Sequence, residues 1–194
     1  MLKINFNPFP NLETKHLELR RLKIEDENEI FAIRSDKRMS KYLDRPLYEK
    51  VDEARKFINY INNGIAGNEW VYWAVTLKGD SKLIGTICLW QINMKFEKAE
   101  IGFELLPEYQ GKGLMLEAAI KVVEYGFETM NLKSIEGEVD PQNTKSIKLM
   151  EKLNFERIYE IREGDPEAVK ELKTVMYGLI KTNSNYPIVY SKSH

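Results

Sequence analysis

The chain has 194 residues, of which 43% are apolar, and this size and composition are typical of one soluble globular domain. Its 29 basic residues nearly balance its 30 acidic residues, so it lacks the global positive field that drives non-specific nucleic-acid binding. No apolar run approaches the roughly 20 residues that span a bilayer, and the N-terminus has no signal-peptide core. We therefore expect a cytoplasmic protein with no nucleic-acid or membrane partner, either a monomer or a homodimer.

The chain contains few cysteine and histidine residues, which are the usual ligands of zinc. Cys88 is its single cysteine, so it has no partner for an internal disulfide, and it lies in a predicted strand where inert packing is expected. The two histidines, His16 and His194, form no spaced cluster with it. We therefore expect no metal site.

The hydrophobic pattern predicts an α/β (α+β) sandwich, in which helices flank one mixed, mostly antiparallel sheet. The first half reads as a strand, two helices separated by a polar stretch, and an antiparallel meander of three strands. Their expected bounds are 17–22, 25–35, 52–64 (Asp52 as N-cap, Gly64 as terminator), 70–77, 83–91 and 99–106. The second half reads as helix, strand, short helix and two strands, at 114–130, 134–139, 143–153, 155–162 and 172–181.

We expect residues 1–181 to form a single domain, because no repeat or internal linker interrupts these elements. Periodicity is lost after Lys181, so residues 182–194 are predicted to be a C-terminal tail.

The most informative segment joins a predicted strand to the most apolar helix and contains Gln110, Gly111, Lys112 and Gly113. Glycine permits positive φ and close approach of a ligand, and the first N–H groups of a helix attract anions. The segment is not a Walker A loop, because no hydroxyl residue follows Lys112. A plain strand-to-helix turn is the alternative to a pyrophosphate site.

Three motifs favour the pyrophosphate site. Gln110, Gly113 and Met115 occupy the slots of [Gln/Arg]-x-x-Gly-x-[Gly/Ala], with Met115 as a departure in the last slot. Residues 14–20 match Thr-x-x-Leu-x-Leu-Arg, and residues 143–155 resemble Asn-x-x-Ser followed by Glu-Lys-x-Gly-Phe, with Asn154 replacing the glycine. The chain thus resembles the GNAT superfamily of N-acetyltransferases, most closely its RimJ/RimL type, which acetylates the N-termini of ribosomal proteins.

This resemblance implies that acetyl-CoA is the co-substrate and that the sheet splays at the strands around the coenzyme. Backbone groups of Leu105 and Leu106 are expected to hydrogen-bond the pantetheine arm. The remaining expected coenzyme contacts lie in the turn, the following helix and the later motif: Gln110, Gly111, Lys112, Gly113, Leu114, Met115, Asn143 and Ser146.

The resemblance also assigns candidate catalytic residues. Glu100 is the candidate general base, and Glu104 on the same strand face is its alternative. Ser146 is the candidate donor of a proton to the leaving thiolate, because Met150 stands where many relatives have a tyrosine. Ile158 stands where relatives carry a glutamate, so their complete mechanism does not transfer.

The acceptor is expected to be a primary amine, with a protein or peptide N-terminus favoured. An α-amine with a pKa near 8 is about 10% neutral at pH 7, whereas a lysine with a pKa near 10.4 is below 0.1% neutral. A polyamine, an aminoglycoside or an amino acid is the alternative acceptor, and a non-catalytic acyl-CoA-binding module is the alternative function. Tyr42 and Arg45 are expected to lie at the entrance for the acceptor. The aromatic residues on or beside the predicted strands are expected to pack in the core or to line the acceptor cleft: Trp70, Tyr72, Trp73, Trp90 and Phe96.

Overall fold

The computed structural model describes residues 1–43, 45–158 and 174–181, and these residues form eight strands and five α-helices. The strands are β1 Leu12–Glu13, β2 Leu17–Arg20, β3 Val71–Leu77, β4 Leu83–Asn93, β5 Lys98–Leu105, β6 Ser134–Val139, β7 Glu156–Ile158 and β8 Val175–Ile180. The helices are α1 Glu27–Ser35, α2 Lys37–Ser40, α3 Val51–Ala66, α4 Leu114–Glu124 and α5 Thr144–Lys152.

The strands form one sheet in the order β1-β2-β3-β4-β5-β6-β8-β7. All of its neighbouring strands run antiparallel except β5 and β6, which run parallel. The predicted mixed, mostly antiparallel sheet flanked by helices is therefore confirmed. Within the described residues, no helix is long and apolar enough to cross a membrane.

The two faces of the sheet carry different helices. On one face, Phe57 of α3 packs edge to face on Tyr72 of β3, with ring centroids 5.9 Å apart. On the other face, the π-helical turn Tyr125–Thr129 that follows α4 packs against Trp73. We call these the α1–α3 face and the α4–α5 face, because Arg34 of α1 and Met150 of α5 contact them respectively.

Helix α4 anchors the second of these faces through a continuous apolar stripe. Its buried residues recur at intervals of three and four, which keeps them on one side of the helix: Met115, Ala118, Ala119, Val122 and Val123. Glu117, near the start of the helix, accepts hydrogen bonds from both the backbone N–H and the ring of His16. The N-terminus of α4 is thereby fixed against the segment that leads into β2.

Several predicted boundaries need correction. The polar stretch after Ser35 contains a short helix, α2, capped by the Asp36 carboxylate, which accepts from the Arg38 N–H. Helix α3 has Lys50 rather than Asp52 as its N-cap, and it continues past Gly64 to Ala66. The lack of a side chain at Gly64 makes room for the Trp70 ring, since a Cβ would lie 2.0 Å from it. The strands predicted at 155–162 and 172–181 are described only in part, and residues 159–173 and the predicted tail at 182–194 lie outside the described residues.

Gly85 of β4 offers a stability test, because a Cβ there would lie 2.4 Å from the backbone oxygen of Glu104 on β5. We expect Gly85→Ala to lower the free energy of unfolding by about 1–3 kcal/mol, since the two strands cannot separate without losing ladder hydrogen bonds. Gly67→Ala is the control, because the nearest atom to its Cβ would be the flexible end of Glu69 at 3.2 Å, and the backbone oxygen of Asn63 would lie at an ordinary contact distance of 3.6 Å. Urea denaturation measures both variants, and equal stabilities would contradict the close approach.

Candidate active site

The central feature of the site is a gap between the two parallel strands β5 and β6. Their ladder covers three residue pairs and ends, within the described residues, where Glu100 faces Glu136. Strand β5 nevertheless stays paired with β4 as far as Leu105, and β6 stays paired with β8 as far as Val139. The strands therefore diverge beyond Glu100, as the family resemblance predicted.

The gap exposes one edge of β5. The Leu106 N–H donates to the Ile84 carbonyl of β4 over 2.9 Å, so the backbone groups of Leu106 and of every second residue before it point toward β4. The intervening residues, Ile101, Phe103 and Leu105, consequently point their N–H and C=O groups toward the gap. The backbone groups of Leu105 are thus directed at the gap, whereas the Leu106 N–H is engaged by β4.

The predicted phosphate turn forms the far end of the gap. Gly111 and Gly113 have φ angles of +76° and +80°, and a Cβ at either position would meet no atom within 4 Å. Gly113 is the N-cap of α4, and no side chain caps that helix. The first N–H groups of α4 therefore have no cap from the Gly113 position, which fits the binding of an anion such as pyrophosphate.

The residues around this turn divide into exposed and buried groups. Lys112 is exposed and lies over the Tyr109 ring, with its Nζ 5.6 Å from the centroid. Met115, which departs from the family motif, is buried in the core. Leu114 is half-buried at the first position of α4.

Gln110 connects the turn to three other elements. Its Nε2 donates to the Leu105 carbonyl over 2.8 Å and contacts Met39 Sδ of α2 at 3.6 Å. Its Oε1 accepts from Lys145 Nζ of α5 over 2.9 Å. The Leu105 carbonyl, which was expected to accept a hydrogen bond from the pantetheine arm, therefore accepts one from Gln110.

Glu100 lies at the start of the gap, on the α1–α3 face. Partial burial raises the pKa of its carboxyl above the ordinary value, and the nearby Glu138 and Glu136 raise the pKa further, against the effect of Lys98. Gln91 Nε2 lies 3.4 Å from Glu100 Oε2. A half-buried carboxylate with a raised pKa has the properties of a general base.

Glu104, the alternative base, is held in ion pairs. Arg45 Nη1 donates to Glu104 Oε2 over 2.9 Å, and Arg45 Nη2 bonds the second oxygen. Arg34 Nη1 lies 3.9 Å from Glu104 Oε2. This pairing occupies both carboxylate oxygens of Glu104, and it directs the Arg45 guanidinium toward the sheet.

The N-terminus of α5 contains the other predicted residues. The Asn143 Oδ1 accepts from the Ser146 N–H over 3.2 Å, so Asn143 caps the helix. Ser146 is half-buried one turn before Met150, which is fully buried against Gly137 of β6. Helix α5 therefore lies on the α4–α5 face, opposite to the face that carries Glu100.

The remaining predicted positions are mainly structural. Burial raises the pKa of the Cys88 thiol to about 12, consistent with inert packing. Trp73 is fully buried, and its Nε1 donates to the Pro10 carbonyl, while the Trp70 Nε1 donates to Ile61. Trp90, the Cα partner of Glu100 on β4, is 43% exposed and therefore accessible beside the candidate base.

The chain matches the Acetyltransferase (GNAT) domain family over residues 16–156. It is 32% identical to the uncharacterized N-acetyltransferase p20 of Bacillus licheniformis, over 88% of this chain and 96% of that protein. It is 40% identical to spermidine N(1)-acetyltransferase of Escherichia coli (strain K12) over 76 residues, which is 39% of this chain and 41% of that protein.

Among solved structures, the fold is similar to a GNAT-family acetyltransferase from Bacillus anthracis. The TM-score is 0.73 at 25% identity, over 88% of this chain and 98% of that one. The domain match, the near full-length relative and the splayed sheet lead to one conclusion: the chain belongs to the GNAT family and is an N-acetyltransferase.

Proposed function

We propose that the protein transfers the acetyl group of acetyl-CoA to a primary amine, preferably the α-amine of a protein or peptide N-terminus. The observation that carries this proposal is the gap between β5 and β6, which has an uncapped helix N-terminus at one end and Glu100 at the other. Acetyl-CoA supplies the acetyl group as a thioester. The gap accommodates its extended pantetheine arm against the free edge of β5.

Coenzyme binding is assigned to residues on and beside the turn. The N–H groups of the first turn of α4 bind the pyrophosphate, and Gly111 and Gly113 leave the space in front of them open. Lys112 and Lys145 add positive charge. Gln110 releases the Leu105 carbonyl to the pantetheine arm, and Ile101 and Phe103 supply further backbone groups, one of whose N–H groups stabilises the oxyanion.

The two catalytic roles fall on opposite faces of the sheet. Glu100, on the α1–α3 face, accepts the proton of the amine as its nitrogen attacks the thioester carbon. Ser146, on the α4–α5 face, donates its hydroxyl proton to the sulfur as the carbon–sulfur bond breaks, and regains a proton from solvent. The amine therefore approaches from the α1–α3 face, and the coenzyme lies toward the α4–α5 face.

A polyamine is the second candidate acceptor. Glu136 and Glu138 lie close enough to Glu100 to raise its pKa, and this negative charge on the acceptor face favours a substrate with a second cation. The relative with 40% identity over 76 residues is a spermidine N(1)-acetyltransferase.

We expect Gly113→Glu to weaken acetyl-CoA binding by at least about 100-fold, because it places bulk and negative charge where the helix N–H groups meet pyrophosphate. Isothermal titration calorimetry measures the effect. Gly79→Glu is a matched control, since Gly79 has a φ of +77° in an equally open turn that joins β3 to β4 and does not precede α4. Unchanged affinity in Gly113→Glu would move the coenzyme away from this turn.

Glu100→Gln should lower kcat by about 100-fold or more, the usual contribution of a general base. For the native protein, we expect a plot of log(kcat/KM) against pH to have a slope of one below the amine pKa near 8. The slope should change to two at a second break, at the pKa of Glu100. The variant should keep slope one throughout. Glu136→Gln should move the second break to lower pH, because it removes a neighbouring negative charge that raises the pKa of Glu100.

Ser146→Ala, measured in the same pH series, should lower kcat by about 10- to 1000-fold and leave the second break in place. If Glu100→Gln retains the second break, Glu100 is not the base.

The acceptor test uses a peptide with one free N-terminus and one lysine, incubated with the enzyme, acetyl-CoA and equimolar spermidine at pH 7. Mass spectrometry locates the acetyl group. We expect acetylation mainly at the N-terminus, because the 2.4-unit lower pKa favours its neutral form by about 3 kcal/mol. Acetylation of spermidine alone would reject the N-terminal acceptor in favour of the polyamine, with acetyl transfer intact.

A further inference from the structure

Glu104 is the centre of a nearly buried ionic cluster beside the gap. Its carboxylate accepts two hydrogen bonds from Arg45 and lies 3.9 Å from a guanidinium nitrogen of Arg34. The side chains of Glu104, Arg45 and Arg34 are only 13%, 14% and 16% exposed. A charge cluster this far from solvent depends on all its members, because removal of one leaves another buried and unpaired.

Each arginine connects a different part of the acceptor side to β5. Arg34 belongs to α1, and its guanidinium lies 4.1 Å from the centroid of the Phe57 ring of α3 and 4.9 Å from that of the Tyr48 ring. Arg45 belongs to the connection between α2 and α3. The Glu104 carboxylate on β5 therefore links α1, α3 and the connection between α2 and α3.

That connection, residues 41–43 and 45–50, has few other attachments that reach beyond its own neighbours. The Leu43 N–H donates to the Ser40 carbonyl, and the Arg45 N–H donates to the Leu43 carbonyl, so these two hydrogen bonds are local. The Tyr48 N–H donates to the Arg34 carbonyl over 3.1 Å. We call residues 41–43 and 45–50 the rim segment, and its firmest side-chain attachment to the sheet is the Arg45–Glu104 pair.

The rim segment lies where an acceptor must pass. Glu104 is on the α1–α3 face of β5, beyond the point at which β6 diverges. The preceding helix α2 contacts the phosphate turn through Met39 and Gln110. The rim segment thus borders the same gap that Glu100 borders from the opposite end of β5.

We propose that the Glu104–Arg45 pair is a clasp that positions the rim segment as one wall of the acceptor cleft, and that it sets the affinity for the amine rather than the rate of acetyl transfer. This inference rests on the proposed approach of the amine from the α1–α3 face. Glu104 and Arg45 are positioning residues, and neither contacts the reacting atoms.

The kinetic test compares Glu104→Gln, Arg45→Ala and the double variant with the acceptor peptide described above, or with spermidine if that is the amine turned over. Each single variant should raise the KM of the amine by about 10- to 100-fold, the usual cost of a misplaced binding group. The kcat should stay within about threefold of the native value. The double variant should be no worse than the worse single variant, since both remove the same contact.

Two further variants separate the clasp from a general loss of structure. Arg38→Ala breaks the Arg38–Asp36 pair just before the rim segment, where Arg38 is 76% exposed, and should leave the KM unchanged. Arg45→Lys keeps the charge but loses the two-pronged contact, and should give an intermediate KM. A large loss of kcat in Glu104→Gln alone, with Arg45→Ala normal, would instead make Glu104 the base and overturn the proposal.

An acceptor-independent readout tests the clasp even if no amine in the assay is turned over. Hydrogen exchange of the Tyr42, Leu43 and Tyr48 amides should accelerate at least about tenfold in Glu104→Gln and Arg45→Ala, and not in Arg38→Ala. Circular dichroism establishes that the variants remain folded. Unchanged exchange in both clasp variants would show that the rim segment does not depend on this pair.

Discussion

The unequal pairing of β5 is the constraint on which the rest of the structure depends. Strand β4 holds β5 along its length to Leu105, whereas β6 holds it for only three residues. A strand that is fixed on one side and free on the other presents peptide groups to a ligand without becoming mobile. The glycine turn, the candidate base Glu100 and Glu104, which pairs with Arg45, all lie on this one strand or directly after it.

Much of the fold could be predicted from the sequence, because most elements have a clear hydrophobic period. The strand at Ser134–Val139 has its predicted bounds, and α1 ends at Ser35 as expected. Helix α2 was missed, since a four-residue helix has no period to detect. Gly64 misled the prediction of a helix end, because its small size serves a long-range contact with Trp70 that the local sequence does not reveal.

The site could be predicted only in part. The glycines between a predicted strand and a predicted helix indicated a turn that could bind phosphate. Gly111 and Gly113 do have positive φ angles, the conformation for which glycine is suited. The direction of each peptide group along β5 depends on the register of this strand with β4. The local sequence therefore does not reveal that the backbone N–H and C=O groups of Ile101 and Phe103 point toward the gap. The pairing of Glu104 with Arg45 joins residues 59 positions apart, and the sequence carries no sign of it.

The side chain of Gln110 has a consequence for the release of spent coenzyme. Its amide nitrogen donates a hydrogen bond to the Leu105 carbonyl, and the Lys145 ammonium holds the amide there by donating an exposed hydrogen bond to its oxygen. A departing pantetheine arm would otherwise leave that carbonyl without a partner, at a cost comparable to a lost hydrogen bond. In the proposed coenzyme-binding mode, Gln110 takes its place as it leaves, so product departure and the return of the glutamine are one exchange. In the free protein, the Leu105 carbonyl thereby keeps a hydrogen-bond partner.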